Sequence, residues 1–116
     1  MKDGVSLDYT ELLRRLSLND DRIAANVPRD VGADSPEPAL ALDTRTLALV
    51  RLGALVAVGG AVPSYGAQAD AAVDAGATAA EIVDVLVGII PVVGMPCVVA
   101  AAPKVALALG HDVDDD

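Results

Sequence analysis

The stretch SYGAQADAAVDAGATAAEIVDVL, from Ser64 to Leu86, constrains the fold more than any other part of this chain. Its first half is rich in alanine and ends at Gly76, a residue typical of the position just after a helix. Thr78 and Glu81 have the spacing of a capping box, in which each side chain accepts a hydrogen bond from the other residue's amide. The stretch therefore predicts two helices joined by a short turn, and a structural rather than catalytic role for Glu81.

The part of the chain before this stretch predicts two helices separated by a loop. Apolar residues at positions 9, 12, 13 and 16 follow the period of a helix, for which Ser6 is the predicted N-cap. The polar segment 19–34 is predicted to be a loop. A serine followed by a proline then predicts a short helix over residues 35–42.

Two further helices flank the central stretch. Asp43 is the predicted N-cap of an apolar helix that ends at Gly59, and this helix is expected to be central and buried. A last helix is predicted over residues 96–109, with Pro103 inside it.

The core must be built from small aliphatic side chains, because the chain contains no Phe, no Trp and only two Tyr. Such side chains suit closely packed helices, so we expect an all-α bundle of about five to six helices. The length of 116 residues is that of one domain. Its predicted parts are an N-terminal helix and polar loop (1–41), a helical core (42–110) and an acidic tail (111–116).

Charge limits the classes of partner. The formal net charge of −9 argues against nucleic acid and against an anionic membrane surface, since both are bound by clustered Lys and Arg. Between Leu52 and Leu109 there are only five charged residues. A monomer would therefore leave a broad apolar surface in water, and such surfaces usually mark interfaces. We expect a homo-oligomer.

Residues 85–103 form an uncharged run of nineteen, which is long enough for a membrane span. Three prolines interrupt it, so the run predicts a break between two helices and no membrane insertion. The N-terminus has acids where a secretory signal would be apolar. Cys97 is the only cysteine, which excludes a disulfide, a CxxC pair or a multi-cysteine metal site within one chain. We expect a cytoplasmic protein without a metal or other cofactor.

Arg51 lies in the middle of the apolar helix that follows Asp43. Because burying a lone guanidinium is costly, we expect either an ion pair or a role in binding a substrate anion. The acids available on the following helices are Asp70, Asp74, Glu81 and Asp84.

Ser64 and Gln68 share a helix face with several alanines, which predicts either a helix contact or a shallow pocket. Neither side chain is a good general base, and no neighbouring histidine activates the serine as a nucleophile. The single histidine, His111, is expected to be a surface residue of the tail. Cys97 is either a buried inert thiol or a thiolate favoured by the nearby helix start.

Three segments carry a family resemblance: LDTRTLALVRLGALVAVGG, QADAAVDAGATAAEIVDVL and VVGMP. Together they resemble the carboxymuconolactone decarboxylase superfamily, which includes the AhpD-like alkylhydroperoxidases. The resemblance covers about residues 42–109, and its most specific part is AGAT-x-x-EI followed by G-x-P. It implies an AhpD-like helical fold that assembles as dimers, trimers or hexamers.

The resemblance also assigns positions for chemistry. AhpD-like peroxidases use a CxxC pair with a histidine four residues beyond the second cysteine, and the matching positions here hold Ala61, Ser64 and Gln68. Thiol peroxidase chemistry by that motif is therefore excluded. The decarboxylase branch usually keeps the histidine, so the glutamine also removes proton transfer from that position. Tyr65 and Arg51 remain as polar candidates near the implied pocket.

Three functions follow from these residues. The first is a cofactor-independent, decarboxylase-like lyase acting on a small carboxylated or lactone-like molecule, with Arg51 holding the carboxylate. Ser64, Tyr65 and Gln68 would orient that substrate. The second is a non-catalytic oligomeric binding or scaffold protein that keeps the fold without the chemistry. The third is a peroxidase activity through Cys97 across a subunit interface.

Overall fold

A computed structural model describes residues 8–25, 27 and 41–110, and every regular element within them is a helix. The all-α prediction is confirmed for these residues. They contain seven helical segments rather than five to six, because two single turns of four residues each form separate elements. In chain order the helices are α1 (Tyr9–Ser17), α2 (Arg22–Ala25), α3 (Thr44–Val58), α4 (Val62–Asp74), α5 (Ala79–Gly88), α6 (Ile90–Val93) and α7 (Met95–Ala108).

The long helix α3 forms where the sequence predicts it. Asp43 Oδ1 accepts a hydrogen bond from the Thr46 amide at 2.7 Å, as expected of an N-cap. Gly59 follows the last helical residue. Because α3 packs against α4, α5 and α7, it is the central helix of the described part of the chain. Its buried face consists of Leu47, Ala48, Leu52 and Val56.

The expectation that α3 is central and buried holds for only one of its faces. Val50 and Val58 are 53% and 82% exposed, and Arg51 is half-buried rather than buried. The physical reason is that α4, α5 and α7 cover one side of α3 and leave another side uncovered within a single chain.

The turn between α4 and α5 has the predicted geometry. Gly76 has a φ of 102°, a conformation that residues with a Cβ rarely adopt. The Ala77 amide donates to the Ala72 carbonyl at 2.9 Å, which is the long hydrogen bond of a Schellman motif. Thr78 Oγ1 accepts from the Glu81 amide at 3.1 Å, and Glu81 Oε1 accepts from the Thr78 amide at 2.9 Å. The predicted helix stop and capping box are both confirmed.

The last helix, α7, begins and ends one residue before its predicted range of 96–109. Pro63 occupies the first turn of α4, where its missing N–H leaves no hydrogen bond unmade. A short break at Gly94 separates α6 from α7, and Pro103 lies inside α7 as predicted. None of the helices in the described ranges combines the length and the hydropathy that crossing a membrane requires.

The core consists of aliphatic side chains, as the composition predicts, with one aromatic exception. Its largest fully buried side chains are Tyr65, Leu52, Ile82, Val56 and Val105. Buried alanines on α3, α4 and α7 allow the three helices to pack closely. Since α4 packs against both α3 and α7, the start of α4 lies beside the end of α3 and the middle of α7.

The N-terminal helix α1 forms as predicted, but its cap is a different residue. Asp8 Oδ1 accepts from the Glu11 amide at 2.9 Å, so Asp8 is the N-cap. Ser6, the predicted cap, lies outside the described residues. The aspartate takes this role because it immediately precedes the first helical residue and reaches the amide three positions on.

The polar segment 19–34 is not a loop throughout, because it contains α2. Asp20 Oδ1 accepts from the Arg22 amide at 3.1 Å and so satisfies a free amide at the start of this turn. The predicted helix over 35–42 lies outside the described residues except for positions 41 and 42, which are not helical. The acidic tail, 111–116, also lies outside them.

Candidate functional site

The predicted pocket residues on α4 point in different directions. Tyr65 is 1% exposed and belongs to the core, together with Ala69 and Ala72 on the same face of the helix. Ser64 is exposed and Gln68 is half-buried, so neither lies on that buried face. The structure thus brings the three candidates within two turns of one helix, but it places only the tyrosine inside.

The fourth candidate, Arg51, lies on α3 and is half-buried. Of the acids considered as its partner, Glu81 is bound elsewhere. Arg45 Nη1 lies 2.6 Å from Glu81 Oε2. The Thr78 amide first, and the Arg45 guanidinium in addition, hold the pKa of Glu81 below its ordinary value. This confirms a structural role for Glu81, because a carboxylate held ionised by two partners is a poor proton carrier.

A polar cluster that the sequence did not reveal lies where α3, α4 and α7 meet. Lys104 Nζ donates a hydrogen bond to the Gly60 carbonyl at 2.9 Å. The same ammonium lies 5.7 Å from the centroid of the Tyr65 ring, within the range of a cation–π interaction. The Tyr65 hydroxyl donates to the Leu55 carbonyl at 3.4 Å. We call these four residues the Lys104 cluster.

Among the residues that the structure describes, no carboxylate holds the Lys104 ammonium. None of the ion pairs among the described residues involves Lys104. An ammonium group carries three N–H donors, and Gly60 accepts one of them. The cluster therefore offers a positive charge with remaining donors to an anion, in a chain whose net charge is −9.

Tyr65 supports the ammonium as a neutral phenol. Burial raises the pKa of Tyr65 above its ordinary value of 10.0, and the neighbouring Cys97 raises it further. The hydroxyl therefore stays protonated at neutral pH and acts as a hydrogen-bond donor, not as a base. The ring is the part of this side chain that faces the cation.

Cys97 lies close to the same cluster. It is half-buried, and its Sγ lies 3.9 Å from the Ala57 carbonyl, which is a weak hydrogen bond donated by the sulfur. Cys97 is therefore not the fully buried thiol that was one of its two predicted alternatives. His111, the other isolated candidate, lies outside the described residues.

Lys104 is the residue that the sequence analysis missed, although a signal was present. It is the only cation between Leu52 and Leu109. A single ammonium in so apolar a segment must either reach solvent or meet oxygen atoms. Its partner, Gly60, is forty-four residues away along the chain, so the spacing itself contained no hint of the contact.

A second feature is an apolar groove of about 510 Å³ between α3, α5 and α6. None of the four predicted site residues lines it. Thr46 is the one polar side chain in its wall, so the groove suits an apolar surface better than a charged substrate. The groove is lined by Thr46, Leu49, Val50, Gly53, Ala54, Ala57, Val85, Gly88, Ile89, Val92 and Val93.

Within residues 8–25, 27 and 41–110, no three His, Cys, Asp or Glu side chains come together as metal ligands would. In a comparison with known families, the model of the carboxymuconolactone decarboxylase family matches residues 38–107. No curated protein and no solved structure matches the chain.

Proposed function

Since the chain belongs to the carboxymuconolactone decarboxylase family, we propose that it is a cofactor-independent, decarboxylase-like lyase acting on a small carboxylated molecule. The observation that carries this proposal is the Lys104 ammonium, which is held by a carbonyl and an aromatic ring with no carboxylate beside it in the described structure. The family supports the reaction class, and the free donors of the ammonium support an anionic substrate.

The chemistry requires stabilisation of negative charge more than proton transfer. In a decarboxylation the bond between the carboxylate carbon and its neighbour breaks, and carbon dioxide leaves. The electron pair passes into a conjugated carbonyl as an enolate, which then takes a proton at carbon from water and leaves hydroxide in the solvent. Lys104 would stabilise the enolate oxygen, as a positioned cation does for a developing anion. Tyr65 is a positioning residue in this scheme, because its ring lies against the cation.

The proposed role of the other candidates is substrate orientation. Ser64 and Gln68 lie on α4 close to the Lys104 cluster, and both carry hydrogen-bonding groups that are at least partly exposed. Arg51, on α3, remains the proposed partner of the substrate carboxylate. Water is the proton donor because the position that holds the family's histidine is Gln68 here.

The domain organisation, the oligomeric state and the cellular compartment are also proposed. We propose that residues 42–110 form an AhpD-like core and that the protein is a homo-oligomer of two to six copies. Residues 1–41 and 111–116 are proposed to form an N-terminal arm and a tail. Exposed apolar side chains on α3, α5 and α6 support self-association. The cytoplasm is the proposed compartment, which accords with a single cysteine.

A non-catalytic binding protein is the second candidate function. The observation that favours it is the set of residues at the family's reactive positions: Ala61, Ser64 and Gln68. A protein of this kind would bind the anion at Lys104 and release it unchanged. Binding and turnover must therefore be measured separately.

The test uses carboxymuconolactone, the compound in the family's name, with the purified full chain. Turnover is followed as carbon dioxide release, and binding by calorimetry. Removing one charge-assisted hydrogen bond costs about 1.5–3 kcal/mol, so Lys104→Met should weaken the measured effect about 10- to 100-fold. Lys104→Arg should retain part of it. Arg22→Met is the matched control, because it removes one positive charge from α2, whose principal neighbour among the described helices is α1.

The outcomes separate the two functions. Turnover that depends on Lys104 supports the lyase. Binding that depends on Lys104 without carbon dioxide release supports the second candidate and overturns the first. If Lys104→Met and Arg22→Met have the same effect, the cluster is not the site.

A further inference from the structure

The N-terminal helix α1 presents an apolar stripe that no other described element covers. Tyr9, Leu13 and Leu16 lie on one face at helical spacing and are 79%, 60% and 59% exposed. The principal neighbour of α1 within the described ranges is the short helix α2, and no residue of α1 is buried. A helix of nine residues is marginal in water by itself. Its stripe therefore calls for an apolar partner.

The opposite face of α1 is already satisfied. Glu11 Oε2 lies 2.9 Å from Arg14 Nη2 and 2.8 Å from Arg15 Nε. These two ion pairs lower the pKa of Glu11 to about 2. Because the charged groups pair with one another on the polar side, covering the apolar stripe would not bury an unpaired charge.

The shape and the apolar lining of the groove between α3, α5 and α6 suit the binding of such a helix. Its floor includes Gly53 and Gly88, and a Cβ built on Gly88 would meet nothing within 4 Å. Val50 and Val92 stand at its edges and are 53% and 84% exposed. Small residues at the floor allow the backbone of another helix to come close, and the valines contact its sides.

The groove is long enough to accept the apolar stripe of α1. With a rise of about 1.5 Å per residue, the stripe on α1 is about 10 Å long and the groove along α3 about 16 Å. Burying one tyrosine and two leucines removes on the order of 400 Å² of apolar surface from the helix, with a similar area from the groove. Two reciprocal contacts would bury roughly 1,600 Å², which is the size of a standard stable interface.

We propose that α1 of one copy of this chain docks through Tyr9, Leu13 and Leu16 into the α3–α5–α6 groove of a second copy. The exchange is reciprocal, so each copy donates one helix and receives one. A second copy is the occupant because a chain's own α1 lies against α2 while its own groove stays open. The inference rests on the self-association proposed above and is independent of anion binding at Lys104.

Disulfide trapping tests this contact. In a Cys97→Ser background, one protein carries Leu13→Cys on α1 and another carries Val92→Cys at the groove. Both positions are exposed, so neither change disturbs the core. Mild oxidation of the mixture should give a covalent species of twice the chain mass in which peptide mass mapping finds position 13 joined to position 92, a product that neither protein can form when oxidised alone. The matched control replaces Val92→Cys by Val73→Cys, which is 50% exposed on α4 and outside the groove, and should give little of this species.

Light scattering distinguishes the ways in which the idea can fail. An oligomeric mass without the Leu13–Val92 crosslink would place the interface elsewhere and overturn this inference alone. A third protein carries Leu13→Cys and Val92→Cys in the same chain. A crosslink that forms only within this chain would show that α1 occupies its own groove. A mass equal to one chain would overturn both this inference and the proposed self-association. The double variant Leu13→Asp, Leu16→Asp should have a lower assembly mass than the wild-type protein.

Discussion

At the scale of single residues, the feature that distinguishes this chain is how Lys104 is held. Its ammonium meets a backbone carbonyl and the face of Tyr65, where a carboxylate would be the ordinary partner. A carboxylate would neutralise the cation and occupy its donors. A carbonyl and a ring fix its position and leave the charge available. The cluster is for this reason a better anion site than the exposed Ser64 or the half-buried Gln68.

Two substitutions at Tyr65 separate the ring from the hydroxyl. The Leu55 carbonyl also accepts from the Gly59 amide at 2.7 Å, so it keeps a partner when the Tyr65 hydroxyl is removed. Tyr65→Phe should therefore lower the free energy of unfolding by about 1 kcal/mol or less. Tyr65→Ala leaves a cavity in the core and should lower it by about 3–5 kcal/mol. Urea denaturation at a fixed protein concentration measures both, and equal losses would contradict the role given to the ring.

Individual side chains were the least predictable part of the site. Tyr65 was a pocket candidate, and the structure makes it a core residue because it continues the face of Ala69 and Ala72. The Lys104–Gly60 contact joins α7 to the turn between α3 and α4, which come together only when α7 packs on α4. No local pattern contains that information. The Cys97 thiol likewise finds its carbonyl partner on a distant helix.

At the scale of helices, the local signals were sufficient. The N-cap of α3, the stop at Gly76 and the capping box of α5 each depend on residues within five positions of one another. Such contacts form in the helix itself, so the sequence contains them in full. The caps that were predicted wrongly or not at all belong to α1 and α2, where several short polar side chains compete for the same amides.

Two glycines on and after α4 should respond oppositely to alanine. Gly66 lies in the middle of the helix, and a Cβ there would meet nothing within 4 Å. Gly66→Ala should therefore raise the free energy of unfolding by about 0.5–1 kcal/mol. Gly76 also has open space around it, but its φ is 102°. Gly76→Ala should lower the free energy by roughly 1–2 kcal/mol through backbone strain alone.

The glycine pair is measured by urea denaturation under identical conditions. Each variant serves as the control for the other, since both add one methyl group to an uncrowded site on the same element. A loss of stability from Gly66→Ala would mean that another surface packs against this helix in the assembled protein. A gain from Gly76→Ala would contradict the turn geometry.

At the scale of the whole molecule, the described residues leave two apolar surfaces exposed. The described helices cover one side of α3 and leave apolar side chains exposed on α3, α5 and α6, while α1 exposes an apolar stripe of its own. The scarcity of charge between Leu52 and Leu109 predicted such surfaces without showing which elements form them. Their position depends on how the helices pack, and the groove became visible only with the fold.

The central claim, that this member of the carboxymuconolactone decarboxylase family binds a carboxylated molecule at Lys104, has a direct spectroscopic test. The chain contains two lysines, Lys2 and Lys104, so protein labelled with ¹³C-lysine gives two resolvable side-chain Cε signals. Lys104→Arg assigns them. Addition of carboxymuconolactone should shift the Lys104 signal in a saturable manner and leave the Lys2 signal in place. Equal movement of both signals, or none in either, would contradict the account.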